Sequence, residues 1–284
     1  MAETDTLRRT ALHAFNDMHG GRFVDFTGWA LPVQFEAGIM AEHNACRSGA
    51  ALFDVSHMQQ VRLDHADGAA AIAEALETLV PGGITSLKPG AARYTQFTDE
   101  TGGVLDDLIA SHAGDHFYLV VNASRAAHDL AHMEKGLEPH GVTVMPLDRA
   151  LVALQGPKAV EALKPLVPGA ASLTFMQTDE ADWQGSRLRV SRTGYTGEDG
   201  FEISLDNAVA ADFAEALMAG GLVTLAGLGA RDSLRLEAGL CLYGQDLTPE
   251  TTPVEAGLAW SIPRRRRETG GFPGADSIIA QLRD

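Results

Sequence analysis

The sequence predicts an α+β protein: two mixed α/β domains of similar size, each built on an antiparallel sheet. Three observations carry that reading. Strand-like and helical runs follow one another along the 284 residues without the regular β-α-β-α succession of a doubly wound parallel sheet. Three strand candidates, 92–98, 102–111 and 116–123, come in direct sequence, and the first two are joined through "DETGG", which has hairpin turn chemistry. A second mixed run opens at "GVTVMPLDRALVALQGP" and continues to residue 239.

Taken in order, "RFVDFTGW" (22–29) reads as a strand and turn, and "EAGIMAEHNACRSGA" (36–50) as an amphipathic helix. "LFDVSHMQQVRLD" supplies two strand-like pieces. A helix over 65–80 aligns Ile72, Leu76 and Leu79 on one face, and Pro81-Gly82-Gly83 stops it. The three strands follow, then a helix over 124–137, so that residues 58–140 form one compact unit. The second run holds helices over 157–166, 207–219 and 228–239 and strands at 186–192 and 200–205.

Composition excludes several classes. Apolar residues make up 45% of the chain, enough for a real core, and the formal net charge of −16 argues against nucleic acid as a partner. Cys46 and Cys241 stand far apart, which suggests a reducing compartment rather than a disulfide scaffold. "MAETDTLRRTALHAF" begins with acids, so it reads neither as a secretory signal nor as the basic, acid-poor leader of a mitochondrial protein. The weakly polar run 218–230 is too short and too glycine-rich to span a bilayer. These features predict a soluble, cytoplasmic protein.

The stretch "SRTGYTGEDGFEISL" (191–205) carries Gly194, Gly197 and Gly200 beside Glu198, Asp199 and Glu202. It lacks the Lys and Ser/Thr of a phosphate loop, and its acids would repel phosphate. Two readings stay open: a hairpin whose glycines supply positive φ, or glycines that let backbone approach a flat ligand. In the second, Glu202 reads an N–H/NH₂ edge such as that of a pterin or guanine, as a carboxylate reads arginine. On "GGVLDDLI", Asp106 and Asp107 must point to opposite faces of a strand, so one faces a site while the other faces solvent or caps a turn. Arg231 and Arg235 lie one turn apart; Arg231, at a helix start, is badly placed for the dipole and calls for an external partner. His128 and His132 have i,i+4 spacing but no third ligand, so no metal is expected. "SHM" (56–58) lacks a nucleophile-elbow pattern, Cys241 stands in no CxxC motif and has no companion His in sequence, and "RRRR" (264–267) reads as a solvated loop.

Together, "VDFTGWALPVQF", "ALFDVSHM", "GGVLDDLI", "VVNAS", "LQGPKA", "SRTGYTGEDGFEI", "GLGARDSLRLEAGLCLYGQDL" and "PVEAGLAW" resemble the T-protein family, the folate-dependent aminomethyltransferases of the glycine cleavage system. The match runs in order over residues 20–262. Gln59 departs from it, standing where the family commonly has glycine. The cysteine-containing "KGCYTGQE" of the tRNA-modifying branch is replaced by "TGYTGED". The resemblance implies a central folate cavity, a discontinuous first domain and a ferredoxin-like insertion, with the family's C-terminal β-barrel largely missing. On this pattern residues 1–55 and 146–250 make the first domain, 56–145 the insertion, and 251–284 a lead-in to the absent barrel.

It implies further that the chain is an enzyme. The one-carbon unit of an S-aminomethyl-dihydrolipoyl arm, carried by a lipoylated H-protein, passes to tetrahydrofolate. The products are 5,10-methylenetetrahydrofolate and ammonia. Asp107 matches the family's catalytic carboxylate, Glu202 the residue that grips the pterin edge, and Tyr94, Asn122, Tyr195, Arg231 and Tyr243 further folate-binding positions. No metal, nucleic acid or membrane partner is implied, and a monomer is expected. A related folate-dependent demethylase, or a non-catalytic folate-binding protein, is the alternative.

Overall fold

The computed structural model describes residues 6–283; the opening MAETD, part of the reading against a leader, lies outside the described residues. In chain order, helix α1 (His13–Met18) precedes strands β1 (Arg22–Phe26) and β2 (Trp29–Gln34), helix α2 (Ile39–Ser48) and strand β3 (Ala50–Asp54). Next come β4 (Gln59–Asp64), α3 (Ala69–Leu76), β5 (Ala92–Thr98), β6 (Val104–His112), β7 (Phe117–Val121), α4 (Ala126–Leu137) and β8 (Thr143–Leu147). They are followed by β9 (Ala150–Gln155), α5 (Ala159–Leu163), β10 (Thr178–Trp183), β11 (Ser186–Ser191), β12 (Gly200–Leu205), α6 (Ala210–Met218), β13 (Val223–Leu225) and α7 (Leu228–Glu237). Short helices α8 (Arg264–Thr269) and α9 (Ala275–Gln281) end the described chain. The fold is α+β with antiparallel sheets.

The chain divides into two compact units, one running to His57 and resuming over Asp148–Leu240, the other comprising Met58–Leu147 and the chain from Cys241 onward. In the first unit a six-stranded sheet has the order β10-β11-β12-β9-β3-β13, antiparallel except for the β13–β3 pair. β9 lies inside it with all six residues buried, which is why "ALVALQ" is apolar without alternation. Leu52, Val152, Leu154, Phe201, Ile203 and Phe213 form the core, with the Trp183 ring edge-on to Phe213 at 5.1 Å. Glu42, fully buried on α2, accepts hydrogen bonds from the backbone N–H of Phe35 (2.6 Å) and Gly227 (2.9 Å). The second bond fixes the start of α7, and through it Arg231.

In the second unit a five-stranded antiparallel sheet has the order β5-β6-β7-β4-β8. The apolar sides of α3 and α4, including Ile72, Leu76, Met133 and Leu137, pack with Leu63, Phe97, Leu108 and Leu119. β6 alternates along Val104–Ala110: even-numbered residues are buried, whereas Leu105, Asp107 and Ile109 on the other face are half-buried. The helix expected over 65–80 starts only at Ala69, because Gly68 adopts φ +83° and its N–H closes a turn on the His65 carbonyl.

Residues 264–267 are not a solvated loop. Arg265 pairs with Glu77, Arg266 is buried and donates to the Glu77 and Val80 carbonyls, and Arg267 donates to those of Ile262 and Ala259, both at 2.6 Å. Arg264 stays on the surface, paired with Glu268, and Arg265 is exposed beside its Glu77 partner. The basic run fastens the last described segment to the second unit. Around it Ile262, Phe272 and Ile278 form a small core.

Candidate functional site

Seven sequence-derived site residues fall into two clusters, one in each unit. In the second unit, Asp107 is half-buried on the face of β6 away from the helices. The Tyr94 hydroxyl, from the neighbouring strand β5, donates to Asp107 Oδ2 at 3.0 Å. Asn122 directly follows the end of β7, and its Nδ2 donates to Asp107 Oδ1 at 2.8 Å and to Asp106 Oδ1 at 2.9 Å. One amide thus ties together two acids that leave their strand in opposite directions. Arg125 Nε donates to the Leu105 carbonyl at 3.1 Å, and its guanidinium lies 5.2 Å from the centre of the Tyr243 ring. Tyr94, Asp107, Asn122 and Tyr243 therefore belong to one electrostatic neighbourhood.

Asp106 does not face solvent or cap a turn, as one of the two acids was expected to. It is fully buried within hydrogen-bonding reach of Asp129, an equally buried acid on α4. Burial, and then the neighbouring Asp106 charge, push Asp107 up to about 7, against the pull of its Tyr94 and Asn122 hydrogen bonds. Asp106 and Asp129 are also raised, first by burial; Asp129 raises Asp106 further. Burial and the Asp107 charge raise Tyr94 in turn, so its hydroxyl remains a donor. A carboxyl near its midpoint at neutral pH can both take and give a proton.

In the first unit, only Gly197 of the loop glycines adopts a positive φ (+78°), whereas Gly194 and Gly200 are packed against a side chain. The Gln155 side chain fills the loop, donating to the Thr193 carbonyl at 3.0 Å and accepting from the Thr196 hydroxyl at 2.8 Å. A Cβ on Gly194 would stand 1.8 Å from Gln155 Oε1, and one on Gly200 would stand 2.5 Å from Nε2. These glycines make room for Gln155 rather than for a ligand. The loop acids differ too. Glu198 pairs with Arg47 at 3.0 Å, and Asp199 takes Arg192 Nε at 2.9 Å, which holds its carboxyl below the usual range.

Glu202, on β12, has no such cation bond. One oxygen accepts from Thr193 Oγ1 at 2.6 Å, and the other has no hydrogen-bond partner among the described residues. Arg231 feels the Glu202 charge, its guanidinium lies 4.9 Å from the centre of the Tyr195 ring, and its Nη1 is buried without a hydrogen-bond partner. His57 is buried nearby and pushed down to about 3, by burial and then by the Arg231 charge, so it stays neutral. Glu202, Tyr195 and Arg231 thus offer an acceptor, a ring and a donor. This set suits a flat heterocycle with both N–H and carbonyl edges.

Sequence reasoning missed Asp129, Arg125, Thr193 and Trp260. Trp260 stacks on Tyr94 at 5.4 Å although it is 66% exposed, and its place in "GLAW" was the available signal. His128 and His132 stack at 6.1 Å rather than converge, and among the described residues no group of three or more His, Cys, Asp or Glu is arranged for a metal ion. Burial pushes Cys46 up to about 12, which makes it a poor nucleophile. Among the described residues no helix is long and apolar enough to cross a membrane.

With this geometry in hand, comparisons with known proteins converge. The family model described as the GCVT N-terminal domain matches residues 12–266. The mitochondrial aminomethyltransferase of Flaveria anomala is 46% identical over 98% of this chain and 70% of its own length. The human mitochondrial aminomethyltransferase is 45% identical over the same shares. The crystal structure of glycine cleavage system aminomethyltransferase T from Bartonella henselae superposes with a TM-score of 0.89 at 40% identity, over 98% of this chain and 75% of that one. The expected cytoplasmic location is corrected: the curated relatives, from plants, Dictyostelium discoideum and human, are named mitochondrial.

Proposed function

This chain belongs to the GCVT N-terminal domain family, and on that premise we propose that it is an aminomethyltransferase of glycine cleavage. It moves the one-carbon unit of an S-aminomethyl-dihydrolipoyl carrier protein to tetrahydrofolate, giving 5,10-methylenetetrahydrofolate and ammonia. Relatives 46% and 45% identical carry the aminomethyltransferase name, and the Bartonella henselae structure is that of the glycine cleavage enzyme. The carrier is a lipoylated H-protein. Folate acts as acceptor substrate.

Proton bookkeeping identifies what the residues must do. The donor carbon loses one bond to nitrogen and one to sulfur and gains bonds to the two folate nitrogens, N5 and N10. Each of those nitrogens gives up one hydrogen; one leaves in ammonia and the other on the freed thiol. Two proton movements beside a carbon that becomes cationic call for a carboxyl that changes state near neutrality. Asp107 meets that need: it lies at about 7, and its oxygens are held by Tyr94 and Asn122 rather than by a cation. That single observation carries the assignment of Asp107 as the catalytic group.

Glu202 recognises rather than reacts. Its free oxygen and the oxygen held by Thr193 suit the paired N–H donors of a pterin edge. Arg231 donates to an acceptor on the substrate and Tyr195 backs it. Asn122, Tyr94 and Tyr243 orient the reacting end. The test is titration of the chain with tetrahydrofolate alongside turnover with aminomethylated carrier. Saturable binding with methylenetetrahydrofolate formation is expected. Binding without turnover would leave a folate-binding protein, and turnover with another methylated amine but not with the carrier would leave a demethylase.

A further inference from the structure

The reaction makes no use of Asp129, yet the fold buries it completely on α4. Its Oδ1 stands 3.1 Å from His128 Nδ1, whereas its Oδ2 is enclosed with no hydrogen-bond donor. Asp106, equally enclosed, already has both oxygens occupied by Asn122: the backbone N–H donates to Oδ2 at 3.1 Å and Nδ2 to Oδ1 at 2.9 Å. The two carboxyls are within hydrogen-bonding reach of each other. Two buried acids in contact cannot both be ionised. With every donor of Asn122 turned toward Asp106 and Asp107, and none toward Asp129, a hydrogen held between the two carboxyls is what satisfies Asp129 Oδ2.

We propose that Asp106 and Asp129 share one proton beneath the sheet, and that this pair positions Asp107 through Asn122. The proposal rests on the reading of Asp107 as the reacting carboxyl. One proton is the count that holds the arrangement together. With none, repulsion drives Asp106 off Asn122; with two, Asp106 becomes a poor acceptor for the Asn122 amide. In either case Nδ2 loses the second anchor that keeps it on Asp107 Oδ1. The negative charge left on the pair also acts on Asp107. Around the pair the other charged or titratable groups are Arg125, His128, Asp107 and Tyr243, with Tyr94 on the far side of Asp107. All remain in the variants below that alter only the pair.

Asp129→Asn keeps an N–H for Asp106, whereas Asp129→Ala removes it. With aminomethylated carrier and tetrahydrofolate, Asp129→Ala should lose about tenfold in kcat at unchanged KM for folate, and Asp129→Asn should recover most of that loss. Asp106→Asn, which removes the charge beside Asp107, should lower the acid limb of kcat/KM by about 1 pH unit. Independently of turnover, infrared spectra of Asp107→Asn protein at neutral pH should contain a protonated-carboxyl band that disappears when Asp129→Asn is added. Equal kcat for the Asn and Ala variants at 129, or a band that survives Asp129→Asn, would overturn the proposal. Full turnover in Asp107→Asn would instead remove its premise about Asp107, and the infrared comparison would still decide whether the proton is shared.

Discussion

Glu198-Asp199 in the glycine-rich loop and Asp106-Asp107 on β6 are adjacent acid pairs in one chain, and the fold treats them in opposite ways. Arg47 and Arg192 neutralise the loop acids, and Asp199 is held below the usual carboxylate range. The β6 acids are tied by an amide and a phenol, and both are raised. The difference separates structure from chemistry. A carboxylate given a cation stabilises the fold and stays charged; one denied a cation and buried costs stability and becomes able to exchange a proton near neutral pH. Glu202 stands between the two cases. It is held by one hydroxyl and keeps an oxygen for recognition.

The largest expected effect comes from removing the unneutralised acid. Asp107→Asn should lose about 10²-fold or more in kcat/KM and at the same time gain stability. The sign follows from a folded-state pKa raised from 3.8 to about 7: the folded protein binds that proton more tightly than the unfolded chain. Stability conferred by the protonated carboxyl is therefore present at low pH and falls as pH rises through that window. Thermal scans should show Asp107→Asn melting above the parent on the alkaline side of this window and level with it below 3.8. Equal melting temperatures on the alkaline side would break the proposed contrast between the two acid pairs.

A smaller effect is expected at Glu202. Loss of a charge-assisted hydrogen bond is worth roughly 1.5–3 kcal/mol, so Glu202→Gln should weaken reduced-folate binding about 10- to 10²-fold. Titration should reveal that change while kcat stays within a few-fold. In the loop itself, Gly194→Ala forces a methyl against Gln155 and should cost about 1–3 kcal/mol in urea unfolding. Asp199→Asn should cost less than about 1 kcal/mol, because the Arg192 pair is partly exposed and screened. Its contribution is present above the ordinary Asp value and disappears as pH falls through the depressed folded one. A turnover loss in Asp199→Asn as large as in Asp107→Asn would erase the distinction.

How much of this was legible in the sequence depends on where each signal was local. β5 and β12 run over the residues read for them, 92–98 and 200–205, because each sits between clear turn residues. β10 went unread: "TDEADW" shows three acids and no alternation, and it is an edge strand with half of its residues exposed. β13 has three residues and pairs in parallel with a strand far away in sequence, so no hairpin announces it. The opposed directions of Asp106 and Asp107 followed from strand geometry, but the burial of Asp106 did not. Its partner Asp129 lies on a helix 23 residues later, where an acid ordinarily reads as part of a solvated face. The loop glycines misled because Gln155, which they accommodate, belongs to another strand.

The pH dependence of kcat/KM in the unmodified chain tests most directly the claim that an acid without a cation partner does the chemistry. Supplied with aminomethylated carrier and tetrahydrofolate, the protein should show an acid limb centred near 7, where Asp107 gains its charge. A profile that stays flat down to the ordinary carboxylate range would contradict the account.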